Sequence, residues 1–83
     1  MVTMDIIASQ GKKHRCIYIQ YNDAIRLIEP YSFRRFGNNI ILYAYERVRN
    51  GERTSKLKSY SIEKIDAVTP SYLPFNPRWP VEF

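Results

Sequence analysis

One cysteine, one histidine and three glycines are all that this 83-residue chain has of the residues that most often build chemistry. Cys16 alone excludes an internal disulfide, and a reducing interior is the natural setting for such a chain. One histidine and one cysteine are too few ligands for a structural zinc site, so no metal is expected, nor any other cofactor. Gly11, Gly37 and Gly51 stand singly at turn-like positions, and no glycine-rich phosphate loop is present. No apolar run approaches the ~20 residues of a membrane span. Residues 1–13 lack the charged start and long apolar region of a signal peptide. A cytoplasmic location is expected. There is no internal repeat and no amphipathic helix of useful length.

Acidic residues are also in short supply. Thirteen Lys and Arg stand against eight Asp and Glu, a net charge of +5. A basic balance favours polyanionic partners through long-range steering. The length allows one domain, residues 1–83, which buries roughly 60–65% of the surface its unfolded chain exposes.

What the chain has in quantity is short, β-rich segments separated by turn residues. The organising stretch is Arg26 to Tyr45: a strand ending at Glu29-Pro30-Tyr31, a basic and aromatic segment (Phe33, Arg34, Arg35, Phe36), a Gly37-Asn38-Asn39 turn and a strand over residues 40–48. Pro30 cannot donate to a ladder and belongs at a strand end, an edge or a bulge. Asn50-Gly51 predicts a tight hairpin leading to a return strand over residues 53–60. Residues 14–21 alternate, with Ile17, Ile19 and Tyr21 on the face expected to meet the core. Asn22-Asp23 breaks that pattern with turn chemistry. Residues 2–9 read as a strand or arm within an N-terminal segment 1–12, with a turn over residues 10–13. Ser61 is expected to cap one helical turn, followed by a short strand over residues 65–69.

Residues 70–83 hold four of the five prolines together with Tyr72, Leu73, Phe75, Trp79, Val81 and Phe83. Such a tail cannot be a regular helix or a central strand, and it is too apolar for a linker. It is expected to be an extended strap packed over the sheet. The whole reads as all-β, a small, strongly bent antiparallel barrel of five to six strands.

Four segments carry a resemblance. They are the strand ending at Tyr21, the run Arg26-Leu27-Ile28-Glu29-Pro30-Tyr31-Ser32-Phe33, the run Ile40-Ile41-Leu42-Tyr43-Ala44-Tyr45, and the run Lys58-Ser59-Tyr60-Ser61-Ile62-Glu63-Lys64-Ile65. Together they resemble the WYL domain, a small Sm-like (SH3-like) β-barrel. Ile40 and Ile41 stand where that family's signature has Trp and Tyr; Leu42 matches. Lys58 and Lys64 stand where it has arginines, and a lysine offers no bidentate fork to a phosphate. WYL domains usually follow a winged helix-turn-helix in transcription regulators. The 83 residues leave no room for one, so an isolated barrel is expected.

The resemblance implies a regulatory module that binds single-stranded nucleic acid or a nucleotide, with Arg26, Lys58 and Lys64 as the carried-over positions. Interleaved aromatic and basic residues can stack on bases while neutralising phosphates. Tyr43, Tyr45 and Tyr60 are the candidate stacking partners, and Arg34 and Arg35 a cationic rim. Each has a structural alternative: Arg26 pairing with Glu29 or Glu46, the tyrosines packing on the sheet, Arg34 and Arg35 solvated, Trp79 capping the core. His14 and Cys16 share a strand face, but without a third orienting group or an oxyanion loop they make no case for an enzyme. The alternative function is a protein-interaction or self-association module using an exposed sheet edge.

Overall fold

A computed structural model describes residues 2–83. A helix, α1 (Val2–Lys12), precedes five strands: β1 (Arg15–Tyr21), β2 (Ala24–Phe36), β3 (Asn39–Arg49), β4 (Glu52–Ser61) and β5 (Ile65–Pro74). A single 3-10 turn, Ile62–Lys64, joins β4 to β5. The strands form one antiparallel sheet in the order β4-β3-β2-β1-β5. The chain is mostly β, as its composition of β-branched and aromatic residues predicts.

The turns follow their local chemistry. Asn22 and Asp23 both take positive φ, 51° and 59°, and close the β1–β2 hairpin in two residues. Asn50 and Gly51, at 49° and 83°, do the same between β3 and β4. Positive φ at both central residues gives a turn whose twist matches that of the flanking strands. Pro30 lies at a register shift of the β2–β3 ladder, which lets β2 run unbroken through it for 13 residues.

The sheet is open, since β4 and β5 are its edges and do not pair with each other, but it cannot be flat. Four strand spacings would separate those edges by about 19 Å. The four residue steps from Ser61 to Ile65 span at most about 14 Å. The sheet therefore curls, and the Ser61 N–H donates to the Tyr21 hydroxyl at 3.3 Å across the gap. The expected cap is not made, since the Ser61 side chain forms no capping hydrogen bond.

Curling leaves two faces, and both are covered. On the helix face Ile7 joins Ile17, Ile19, Ile28, Leu42, Ala44, Tyr60 and Ile62 in the main core. On the strap face Phe75 joins Cys16, Leu27 and Tyr31, with Tyr45, Val48, Trp79 and Val81 against them. Cys16 is thus buried although it alternates with Ile17.

Two segments depart from the sequence reading. Residues 2–9 are helical rather than strand or arm, and the helix continues through the expected turn to Lys12. Val2, Ile6 and Ile7 favour strands locally, and an isolated helix of 11 residues is marginal. Packing on the sheet decides. Met4 and Ile7 fall on one helical face against the core, and Gln10 Nε2 donates to the carbonyl of Ser71 at 2.7 Å. At the other end β5 extends through Pro70 to Pro74 rather than stopping at Thr69, so the strap begins at Phe75. β5 tolerates these prolines because it is an edge strand. Tyr72 and Leu73 consequently lie on the strand and are 88% and 41% exposed, instead of packing with the strap.

Gly11 sits inside the helix because the Phe83 ring lies against it, edge-on to Phe33 at 5.0 Å. A Cβ at position 11 would run into that ring. Alanine is worth about 1 kcal/mol over glycine inside a helix. Gly11→Ala is nevertheless expected to lower stability by about 1 kcal/mol, because displacing a packed ring costs about 1–3 kcal/mol. In a Phe83→Ala background the same substitution should stabilise. Urea denaturation of the four proteins checks this change of sign.

Among the described residues, no helix is long and apolar enough to cross a membrane.

Candidate functional site

Along β3 the side chains of Tyr43, Tyr45 and Arg47 alternate with those of Leu42, Ala44 and Glu46. The second set faces the helix and the first faces the strap. Opposite Arg47 the β4 strand bulges: Glu46 pairs with Lys56 and Val48 with Arg53, so Thr54 and Ser55 stand against one residue. Ser55 adopts φ 53°, a left-handed conformation that costs a non-glycine residue roughly 1 kcal/mol. Bulges re-aim side chains. This one brings Arg53 and Ser55 to the same cleft as Arg47.

The strap supplies the third cation. Its backbone is tied down by the Phe75 N–H to the His14 carbonyl at 2.9 Å and the Glu82 N–H to the Tyr31 carbonyl at 2.8 Å. Between them Trp79 stacks on Tyr31, with ring centroids 3.8 Å apart. Arg78 is carried across the Tyr45 ring, its guanidinium carbon 3.9 Å from the centroid. The result is a cleft of about 370 Å³ rimmed by Tyr45, Arg47, Arg53, Ser55 and Arg78, with Leu27, Val48 and Leu73 as apolar wall. Arg47 and Arg78 also wall a second hollow of about 320 Å³ that contains Glu29.

Glu29 is the counter-charge. It is 2% exposed, and its Oε1 accepts from the Tyr31 hydroxyl at 2.7 Å and from Arg78 Nε at 3.3 Å. Arg47 Nε stands 3.8 Å from its other oxygen. Two guanidinium groups therefore flank one buried carboxylate, and Arg53 joins them at the cleft. The Arg47 and Arg78 side chains remain 34% and 49% exposed and Arg53 is exposed, so the surplus charge faces solvent. Burial is the main cause of a Tyr31 hydroxyl pKa above its ordinary value, and the Glu29 carboxylate adds to it.

Cys16 lies beneath this cluster, its Sγ accepting from Arg47 Nη1 at 3.4 Å. Burial raises the thiol pKa more than the Arg47 hydrogen bond and charge lower it, so no thiolate is prepared here. His14 is exposed and packs beside Phe75 rather than bonding to Cys16.

The residues singled out in the sequence do not form one patch. Tyr43 and Tyr45 are half-buried on the strap face. Lys58 pairs with Ala44 and Tyr60 with Leu42, which places both on the helix face. The alternation of a strand separates them, since neighbours along β3 look in opposite directions. Arg26 and Tyr60 are buried, and Arg26 pairs with Glu46, not Glu29, at 2.9 Å. Tyr60 also donates to Glu46, at 3.1 Å, and lies within 5.7 Å of the Arg26 guanidinium. These two make an internal polar cluster rather than a surface for stacking. Lys64 is exposed on the 3-10 turn. Arg34 is exposed and bound to Glu82 at 3.0 Å, and Arg35 is exposed at the end of β2.

Of the eight, only Tyr45 lies at the arginine cleft. Arg47, Arg53, Arg78 and Glu29 were not singled out. Arg47 was within reach, because it continues the two-residue spacing of Tyr43 and Tyr45. Arg53 depends on a bulge and Arg78 on a long-range docking, and neither leaves a local pattern. In comparison with known proteins, no family model, no curated protein and no solved structure matches this chain.

Proposed function

We propose that this chain is a non-enzymatic regulatory module that binds an anionic ligand, a single-stranded nucleic acid or a nucleotide, in the arginine cleft of its strap face. The observation that carries the reading is the convergence of Arg47, Arg53 and Arg78 on one cleft, where a single buried carboxylate faces two of them and Arg78 lies over Tyr45. Guanidinium groups offer paired donors that match phosphate oxygens. The strained backbone at Ser55 supports it, since such strain gathers at binding sites. The short link between the edges of the curled sheet supports the small Sm-like barrel, and with it the WYL resemblance.

The test is fluorescence anisotropy of labelled short single strands, DNA and RNA, at two salt concentrations. Arg53→Glu is expected to weaken binding about tenfold or more and to flatten its salt dependence, as loss of a phosphate contact does. Lys58→Glu, on the opposite face, should change little. The reverse pattern would move the site to the positions carried over from the WYL resemblance. Absence of binding at low salt would sink the nucleic-acid reading.

A second reading rests on the β4 edge. Its outer side pairs with no strand among the described residues, and Leu57 on it is 69% exposed. Self-association through that edge would appear as a mass that rises with protein concentration in the absence of nucleic acid.

A further inference from the structure

The strap covers only part of its face. Beyond its reach lies an apolar alcove of about 500 Å³, lined by Tyr18, Ile25, Leu27, Val48, Asn50 and Gly51. Tyr18 is 43% and Ile25 58% exposed, so two large apolar side chains here meet water. The register explains the row: Tyr18 pairs with Leu27 and Leu27 with Val48, across β1, β2 and β3. Leu27 and Val48 also wall the arginine cleft. The alcove and the cleft are therefore adjoining parts of one depression, apolar at one end and tri-cationic at the other.

We propose that this depression is a two-part nucleotide site, with the base in the alcove against Tyr18 and Ile25 and the phosphate on Arg47, Arg53 and Arg78. The inference rests on the binding function proposed above and names its ligand as a nucleoside 5′-monophosphate. The argument is complementarity. An occupant that fills both parts joins an apolar group, set beside the Tyr18 ring, to a compact anion over a short distance. A phosphate, with about two charges and three acceptor oxygens, suits converging guanidinium groups better than a carboxylate does. Volumes of this order are ordinary for small-molecule sites. Asn50 holds the rim: its Oδ1 accepts from the Ile25 N–H at 2.9 Å and its own N–H donates to the Ile25 carbonyl at 2.7 Å. With its oxygen engaged, the Asn50 NH2 group is the donor left for the edge of a base.

The experiment titrates the 83-residue chain with adenosine 5′-monophosphate, inorganic phosphate, adenosine and octanoate, by calorimetry and by amide NMR. The monophosphate is expected to bind more tightly than each of the other three. It should shift the amides of Ile25, Asn50 and Gly51 together with those of Arg47 and Arg53. Tyr18→Ser/Ile25→Ser, at two partly exposed positions, should weaken it about tenfold, the loss of one stacked base, while leaving phosphate binding unchanged. Equal binding of phosphate and the monophosphate, or indifference to the double variant, would overturn the two-part site yet leave the arginine cleft as an anion site. Tighter binding of octanoate would replace the nucleotide by an acyl ligand and overturn it as well. If no anion binds at low salt, this inference and the proposed function fall together.

Discussion

Arg26→Met is expected to lower the stability of this protein by about 3–5 kcal/mol, because it strands a buried charge. Small domains have about 5–15 kcal/mol in all, so a substantial unfolded population should appear at moderate temperature. Arg26 and Glu46 are 5% and 1% exposed and share one hydrogen bond of 2.9 Å. Arg26 Nε has no partner, so the pair is not fully satisfied. An ion pair of this kind adds little over an apolar replacement of both partners, but breaking it from one side is costly. Arg26→Met/Glu46→Met should therefore recover much of the loss.

The same cluster contributes to the pH limits at both ends. Burial pushes the Glu46 carboxyl up, but the hydrogen bonds from Arg26 and Tyr60 and the Arg26 charge oppose it, and the group is held below its ordinary 4.5. A depressed carboxyl contributes stability that is present above the unfolded value and lost as pH falls through the folded one. Tyr60 runs the other way. Burial, and then the Glu46 carboxylate, raise its hydroxyl above the ordinary 10.0. Its contribution is present below 10.0 and lost as pH climbs past it. Urea midpoints measured from pH 3 to 11 should form a plateau with falling limbs at both ends. In Arg26→Met the carboxyl is less depressed, so the acid limb should become shallower. An unchanged acid limb would show that this pair is not its source.

Trp79→Ala is the second large effect, a loss of about 3 kcal/mol, at the low end for aromatic truncation because Trp79 is half-buried. Trp79 lies 18° from parallel with Tyr31 and is the largest side chain that holds the strap to the sheet. Its removal should also release Arg78 from Tyr45 and Glu29, so anion binding should fall with stability. Trp79→Phe keeps a ring against Tyr31 and should retain most of both. Circular dichroism follows the unfolding, since the variant has no tryptophan. Cys16, at 0% exposure beneath Phe75, gives a second readout. A thiol reagent should modify it slowly in the native protein and faster in Trp79→Ala. Equal rates would mean that the strap stays docked without its tryptophan.

The parts of the fold that were legible in the chain are those governed by neighbours. Asn22-Asp23 and Asn50-Gly51 are residues that tolerate positive φ, so a turn at the first and a tight hairpin at the second were readable. Ile17 and Ile19 alternate toward the main core, and Pro30 had to sit at an irregularity, which is a register shift. Trp79 capping a core is likewise written in a proline-bounded aromatic tail. The helix was not legible, because Ile6-Ile7 suits a strand until the sheet offers Ile7 a partner. The N-terminal sixth strand therefore does not exist, and Gly11 is a packing site for Phe83 instead of a turn.

The candidate site divides along the same line. Composition supplied the surplus of arginine and tyrosine, and alternation marked Tyr43 and Tyr45 as sharing a face. Which face received which charge was beyond local pattern. Glu46 drew Arg26 inside, where a buried carboxylate had to find a cation. Glu29 drew Arg78 from a strap 49 residues away. A bulge at Ser55 turned Arg53 toward them. Short-range sterics and periodicity set the strands and turns from the chain alone. The pairing of buried charges and the covering of two apolar faces act between distant residues, and they placed the helix, the strap and the arginine cleft.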